Sequence, residues 1–389
     1  MLRDFGYLFS VFLSVRPSAN VMSLGLSPET EMTVSRMAEV TCGVPAGILK
    51  KPPASTVVPF SWPSRAIVSE VSMAAMIPDH AAMERLADTA LAHATHPMQR
   101  GEILEIKIQS YQGQNRLRES LEMGLELLDS LGFSFPRSPD AQQIGQSLEE
   151  GVALVADKTV AELTDLPDMT DPRLQMAMRI MAFLLPVVVL TQPTLLPMMI
   201  VRTMRETFAS GFAPPTPVLY CGHAVIMCGF LEQYDLAHRL AKTAIYLAAR
   251  PESRPHRAEA IQYANLLLPW KEHFNDCLPR YDEVYATALE TGQNNAAGFS
   301  SEAWTGYAIF LGLPLEQVEQ KVANRIIALR KMGQYQSLEM MGNYHQMILN
   351  LLGRSESPHR IKGAACDGEA DVARQMEQKN GQVLFNLLF

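Results

Sequence analysis

Apolar side chains recur at three- and four-residue spacing from about residue 79 to the end of the chain. Leu117, Leu121, Leu125, Leu128 and Leu131 fall on one face of a helix, as the 3.6-residue period requires. Two further faces of the same kind are formed by Ala237, Ala241, Ala244 and Ala248, and by Val318, Val322, Ile326 and Leu329. No segment alternates like a strand, so the pattern predicts an all-α region over residues 79–389.

Helix boundaries are marked by capping residues. Ser138-Pro139 and Asp171-Pro172 each place an N-cap side chain before a proline at the first helical position. Gly132, Gly292 and Gly353 each follow a periodic segment, where a left-handed residue ends many helices. These signals predict helices that begin near 139 and 172 and end before the three glycines.

Breaks between the predicted helices recur at a nearly constant interval. They fall near 113–115, 191–193, 233–234, 270–271, 312–314 and 353, with a further loop signal at 155–158 in the one wide gap. An interval of about 40 residues is typical of stacked two-helix repeats. We therefore predict a tetratricopeptide-like superhelical solenoid, whose repeats rest on their neighbours and form an extended concave surface.

Residues 1–78 have a different composition, which is rich in proline, serine and threonine and poor in charged residues. Such a segment buries little apolar surface, and we predict a poorly ordered leader. Its apolar run at 6–15, behind Arg3, has the outline of a weak signal peptide. The run ends at Arg16-Pro17 without a small-residue cleavage site, which favours an apolar leader, either native or foreign to the protein.

The uncharged stretch 180–201 is about long enough to cross a bilayer. Thr191-Gln192-Pro193 signals a turn at its middle, and a turn there would leave backbone groups unpaired in lipid. Two buried helices joined by a turn are the better interpretation, and a membrane partner is not predicted.

Net charge and cysteine content restrict the kinds of partner and cellular compartment that fit this sequence. Thirty-three Lys and Arg residues against forty-one Asp and Glu give a net charge of -8, which argues against a nucleic-acid partner. The five cysteines are an odd number at irregular spacing, so no disulfide framework is indicated. We predict a protein of the cytoplasm.

Catalytic signatures are missing from the sequence. It contains no P-loop, no GxGxxG after a strand, no HExxH, no GxSxG, no kinase HRD followed by DFG and no CxxC. Cys221, His223 and Cys228 form C-x-H-x4-C, which could hold zinc, but a fourth ligand is lacking nearby. We predict a chain that is not an enzyme and holds neither cofactor nor metal, and in which the two cysteines are buried.

The remaining histidines have both a chemical and a structural interpretation. His93 and His96 lie at a helix end, where capping is favoured over metal ligation. Residues 271–273 (Lys-Glu-His) could serve acid–base chemistry, but exposed turn residues beside an anchoring Trp270 are favoured. His345 could accept a phosphoryl group, but its helical phase favours a packed and hydrogen-bonded side chain.

Several segments taken in order resemble one family. They are AAMERLADTALAHA (81–94), EIKIQSYQGQNRLRESLEMGLELLDSLG (105–132), DLPDMTDP (165–172), PTLLP (193–197), WKEH (270–273) and NYHQMILNLLGRSESP (343–358). Together they resemble the helical region of large cyanobacterial and fungal hybrid sensor histidine kinases, which also carry Ser/Thr-kinase-like and AAA-type ATPase domains. The resemblance covers roughly residues 80–389.

The resemblance implies a function without catalysis. In that family the region is a tetratricopeptide-like linker between the ATPase and sensor modules, and it carries no catalytic residues. Here it implies a scaffold or linker for protein–protein interaction in two-component signal transduction. The alternative is a fragment of a multidomain signalling kinase that acts only in phosphorelay regulation or dimerisation. The implied partners are a protein or adjoining signalling domains, and self-association through the apolar C-terminus is also expected.

The predicted contact surface is the inner-helix face. Its candidate partner-binding aromatic residues are Tyr111, Tyr220, Tyr263, Trp304, Tyr307 and Tyr344. Each could equally pack in the core between repeats, which is the more common place for a large aromatic side chain.

Overall fold

The computed structural model describes residues 80–94, 96–113, 116–332 and 334–368, and over these residues the protein is helical without strands. They fall into two compact units, residues 80–110 and residues 111–368. The predicted leader, 1–78, lies outside the described residues, as does the C-terminal segment 369–389.

The first unit contains α1 (His80–His93) and most of α2 (Pro97–Gly113). Its core is made of side chains from both helices: Met83, Ala87, Ala90 and Ile103. An ion pair between Lys107 Nζ and Asp88 Oδ1, 2.7 Å apart, links the two helices beside this core.

The second unit holds the remaining helices. They are α3 (Leu117–Ser130), α4 (Ala141–Ala153), α5 (Val160–Thr164), α6 (Pro172–Thr191), α7 (Leu196–Ser210), α8 (Thr216–Gly229), α9 (Tyr234–Ala248), α10 (Arg257–Leu267), α11 (Cys277–Thr291), α12 (Asn294–Phe310), α13 (Leu315–Lys331) and α14 (Tyr335–Leu351). Short 3₁₀ turns occupy Pro193–Leu195, Pro251–His256, Leu268–Trp270 and Phe274–Asp276. Every predicted break falls between two of these helices or, at 353, directly after α14.

The capping signals were correct with one exception. Asp171 caps α6 by accepting a hydrogen bond from the Arg173 backbone N–H, and Pro172 is the first helical residue. Ser138 was wrong as an N-cap, because Asp140 caps α4 through a capping box with Gln143. A side chain at 140 reaches the free N–H of Gln143, whereas a cap at 138 would force the helix to begin two residues too early.

The glycine stop signals at 132, 292 and 353 were also correct. Gly132, Gly292 and Gly353 have φ angles of 83°, 72° and 69°, the left-handed region that favours glycine. Each of them follows the last turn of its helix, α3, α11 or α14.

The apolar stretch 180–201 contains the predicted turn. Helix α6 ends at Thr191, and α7 begins at Leu196 after a 3₁₀ turn. One helix of the described residues is long and apolar enough to cross a membrane by length and composition, with its window at Pro172–Val189, and 56% of that window is buried. Leu184, Val188, Met199 and Ile200 are fully buried in the second unit.

From α8 onward the helices pack in a regular order. Each helix contacts the next one in sequence, and α8, α10, α12 and α14 also contact one another in series. Cys221 lies against Ala260, and Gly298 against Ser337, both pairs separated by 39 positions. Gly306 also lies against Tyr344, so the contacts between α12 and α14 advance in the same direction along both helices. Since α9, α11 and α13 each return the chain between two of these four helices, called the stacked helices below, we infer that all four run in the same direction.

Candidate functional site on the stacked helices

The six aromatic residues predicted to bind a partner differ in burial. Tyr220 is fully buried, and its hydroxyl donates a hydrogen bond to the Leu163 carbonyl over 3.0 Å. Tyr111 and Trp304 are 8% and 5% exposed. Tyr111 lies near the end of α2, and the Arg116 guanidinium covers its ring. These three side chains pack inside the chain and offer little surface to a partner.

Trp304 is held by charged side chains of a neighbouring helix. Lys321 Nζ lies 3.9 Å from its ring centroid, and the guanidinium carbon of Arg325 lies 5.1 Å from it. Both cations also pair with Asp282 of α11, over 2.7 Å and 2.5 Å. The cluster ties α11, α12 and α13 together, so Trp304 is a central packing residue of this part of the fold.

The other three tyrosines are half-buried. Tyr263 donates a hydrogen bond to Glu259 Oε1 over 3.1 Å on α10. Tyr307 lies between two rings, with centroids 5.4 Å from Phe274 and 5.6 Å from Tyr281. Tyr344 lies on the face of α14 that meets α12. Of the six predicted residues, only these three are partly exposed.

Two carboxyl groups lie among the half-buried tyrosines. Glu302 of α12 is 6% exposed, and its Oε1 atom has no hydrogen-bond partner among the described residues. Burial raises its pKa to about 8, opposed by a hydrogen bond from Ser337. Burial likewise raises the pKa of Glu259 to about 7, opposed by the Tyr263 hydroxyl. Glu302 is therefore mostly a neutral carboxylic acid at pH 7.

Glycine spacing explains how Glu302 is enclosed. Gly298 and Gly306 lie one turn before and one turn after it on the same face of α12. A Cβ atom at Gly298 would lie 2.3 Å from Ser337 Oγ, and one at Gly306 would lie 3.4 Å from the Tyr344 hydroxyl. The two glycines thus let α14 approach closely and cover the carboxyl group.

Of residues 271–273, Lys271 and His273 are exposed as expected, but Glu272 lies in a charged cluster, which corrects the expectation for this residue. Glu272 has only 16% of its side chain exposed and contacts His238 Nε2 at 2.9 Å, Lys242 Nζ at 3.1 Å and Arg280 Nη2 at 2.5 Å. Burial alone would raise its pKa, but these hydrogen bonds outweigh burial and lower the pKa to about 2. The cluster joins α9 to α11 across the connection after α10, and sequence reasoning missed it because His238 and Lys242 lie at least 30 positions from Glu272 in the chain.

The Cys-His-Cys segment is a packed part of α8. Cys221, His223 and Cys228 are all buried, and Cys221 Sγ donates a hydrogen bond to the Ala260 carbonyl over 3.4 Å. Burial lowers the pKa of His223 to about 4, although the Gly151 backbone opposes the change. No group of three or more His, Cys, Asp or Glu residues within the described part of the chain could hold a metal ion.

The other candidate histidines contact a carboxylate or lie at helix ends. His345 Nε2 lies 2.8 Å from Glu319 Oε1, as expected for a packed and hydrogen-bonded side chain. His93 lies in the last turn of α1, and His96 Nδ1 accepts a hydrogen bond from the Met98 backbone N–H over 3.2 Å. Helix-end roles therefore account for both residues.

Comparisons with known proteins give one distant relationship. The chain is similar to hybrid signal transduction histidine kinase G of Dictyostelium discoideum, with 19% identity over 300 residues. The similar region covers 71% of this chain but only 9% of that protein. No protein-family model matches the sequence, and no solved structure matches it. Much of the chain is therefore similar to one region of a signalling histidine kinase.

Proposed function

We propose that residues 79–389 form a non-catalytic, tetratricopeptide-like scaffold or linker for protein–protein interaction in signal transduction. The observation that carries the proposal is the packing of the stacked helices. They contact one another in series, and contacting residues lie 39 positions apart between α8 and α10 (Cys221 and Ala260) and between α12 and α14 (Gly298 and Ser337). Each helix pair in such an array is stabilised by its neighbours, and the array presents one continuous face for binding.

The similarity to a hybrid histidine kinase supports a signalling context. It extends over 300 residues, and the partner implied is another signalling protein or an adjoining domain. Neither cofactor nor nucleic acid forms part of the proposed role. The proposed location is the cytoplasm, which the odd number and irregular spacing of the cysteines in the sequence favour.

Proximity labelling in the cell of origin tests the scaffold role. The full chain fused to a biotin ligase should enrich two-component signalling proteins over a matched fusion carrying Trp304→Ala, since that change disrupts the packing of α11, α12 and α13. Equal labelling by the two fusions would refute the proposal.

The non-catalytic character has its own test. The purified chain should neither hydrolyse ATP nor become phosphorylated by it. Turnover that a point substitution abolishes would establish an enzyme instead. The alternative, a fragment that acts by dimerisation, predicts a concentration-dependent mass in sedimentation equilibrium, and a monomer at all concentrations would refute it.

A further inference from the structure

The ends of the stacked helices carry an unusual row of exposed apolar side chains. Trp270, Phe274, Phe310 and Leu351 are 48%, 46%, 90% and 62% exposed. Trp270 and Phe274 follow α10, Phe310 is the last residue of α12 and Leu351 is the last of α14. We call these four residues the apolar edge. Because the stacked helices run in the same direction, we infer that their last turns, and with them these four residues, lie at the same end of the layer.

Contacts hold part of the apolar edge in place. The Trp270 ring stacks on Tyr234 with 5.4 Å between centroids, and Phe274 packs on Tyr307 at the same separation. Phe310 is one turn beyond Tyr307 on the same side of α12. An exposed, fixed aromatic row of this kind is typical of an interaction surface, since anchoring residues of interfaces are enriched in large aromatic side chains.

The charges around the apolar edge indicate which charge a partner should carry. Glu232, Asp276 and Glu316 are exposed at the turns that connect α8 to α9, α10 to α11 and α12 to α13. The Lys or Arg residues nearest in sequence to Trp270 and Leu351 already have acidic neighbours, since Lys271 pairs with Asp235 and Arg354 Nη1 lies 3.7 Å from Glu319 Oε2. The surplus charge at this edge is negative, which favours a basic partner.

We propose that the apolar edge binds a basic amphipathic helix of a partner protein. Packed helices lie about 8–10 Å apart, so the three helix ends from α10 to α14 span roughly 20 Å. A helix of about 13 residues has that length. Its apolar face would cover Trp270, Phe310 and Leu351, and its Lys or Arg residues would meet Glu232, Asp276 and Glu316. This inference rests on the proposed scaffold function and names its binding surface and partner chemistry.

A labelled model peptide provides the direct test. The probe is a 14-residue helix with leucines at positions 3, 6, 7 and 10 and lysines on its flanks, measured by fluorescence anisotropy with the full chain. We expect saturable binding that the double substitution Phe310→Ala, Leu351→Ala weakens at least tenfold. The matched control is Ile327→Ala on α13, which truncates an apolar residue of 54% exposure, close to the 62% of Leu351, and it should leave binding unchanged.

Charge variants separate specific docking from nonspecific adhesion. Glu316→Lys should weaken binding of the lysine peptide and strengthen binding of a peptide in which the lysines are replaced by glutamate. Equal binding of the two peptides to the unmodified chain would overturn the proposal. So would an equal loss of affinity in the Phe310→Ala, Leu351→Ala variant and in the Ile327→Ala variant. Binding to anionic vesicles that depends on Phe310 would assign the edge to a membrane, and a Phe310-dependent dimer would assign it to a second copy; either result refutes the proposal.

Failure of this inference is distinguishable from failure of the scaffold function. If the Phe310→Ala, Leu351→Ala chain still labels its signalling neighbours in the cell, the scaffold stands and the apolar edge is not its docking surface. If the unmodified chain labels no signalling protein, the scaffold proposal itself fails. Circular dichroism should show that both substitutions leave the fold intact, because neither side chain is buried.

Discussion

Replacement of the buried carboxyl group at position 302 by its neutral amide should remove a pH dependence of stability. Glu302 is enclosed between α12 and α14, with a pKa of about 8 in the folded chain against the ordinary 4.5. The folded state therefore keeps a proton that the unfolded state releases as the pH rises. Since the folded state binds more protons over this interval, stability falls between pH 4.5 and pH 8.

The size of the effect follows from the two pKa values. A tenfold change in proton affinity is worth about 1.4 kcal/mol. Between pH 5 and pH 8, Glu302 should therefore lower the free energy of unfolding by about 3–4 kcal/mol. Glu302→Gln has nearly the same shape and no titratable proton, so this contribution should vanish and the variant should be the more stable protein at pH 8.

Urea unfolding followed by circular dichroism at pH 5 and pH 8 measures the effect. The quantity compared is the change in unfolding free energy between the two pH values, for the unmodified chain and for Glu302→Gln. Glu316→Gln, at an exposed glutamate of α13, is the matched control and should behave like the unmodified chain. An identical pH dependence in the unmodified chain and Glu302→Gln would refute a neutral carboxyl group at the α12–α14 contact.

Three further substitutions test the packing. Glu272→Gln should lower the unfolding free energy at pH 7 by about 1–3 kcal/mol, because Lys242 and Arg280 lose their shared anion and His238 loses its carboxylate partner. Since the folded pKa of Glu272 is depressed to about 2, the unmodified chain should lose the same stabilisation as the pH falls from 4.5 toward 2, and calorimetry at several pH values would detect both effects. Gly298→Ala should cost about 1–3 kcal/mol, since its Cβ would lie 2.3 Å from Ser337 Oγ; Gly145→Ala, with open space around it, should be neutral or stabilising by chemical denaturation. Trp304→Ala should cost about 3–5 kcal/mol, whereas an unchanged melting temperature would contradict its place in the core.

Local features of this fold followed directly from the amino-acid sequence. The leucine face of α3 is buried as the 3.6-residue period predicted, with Leu121, Leu125 and Leu128 at 5%, 3% and 0% exposure. Asp171 before Pro172 marked the start of α6, and Gly292 marked the end of α11. Such signals succeed because helix periodicity, capping and left-handed glycines depend on residues within one or two turns of one another.

Contacts between distant segments were decided only by the tertiary structure. Nothing around Glu272 in the sequence shows that His238, Lys242 and Arg280 converge on it, or that Trp304 is enclosed by cations of α13. A tyrosine or tryptophan on a predicted helix has the same local pattern whether it faces a partner or the next repeat. Its exposure depends on which helix packs against it. That packing is fixed by burial and charge pairing between residues about 40 positions apart, and such contacts leave no signal in the local sequence.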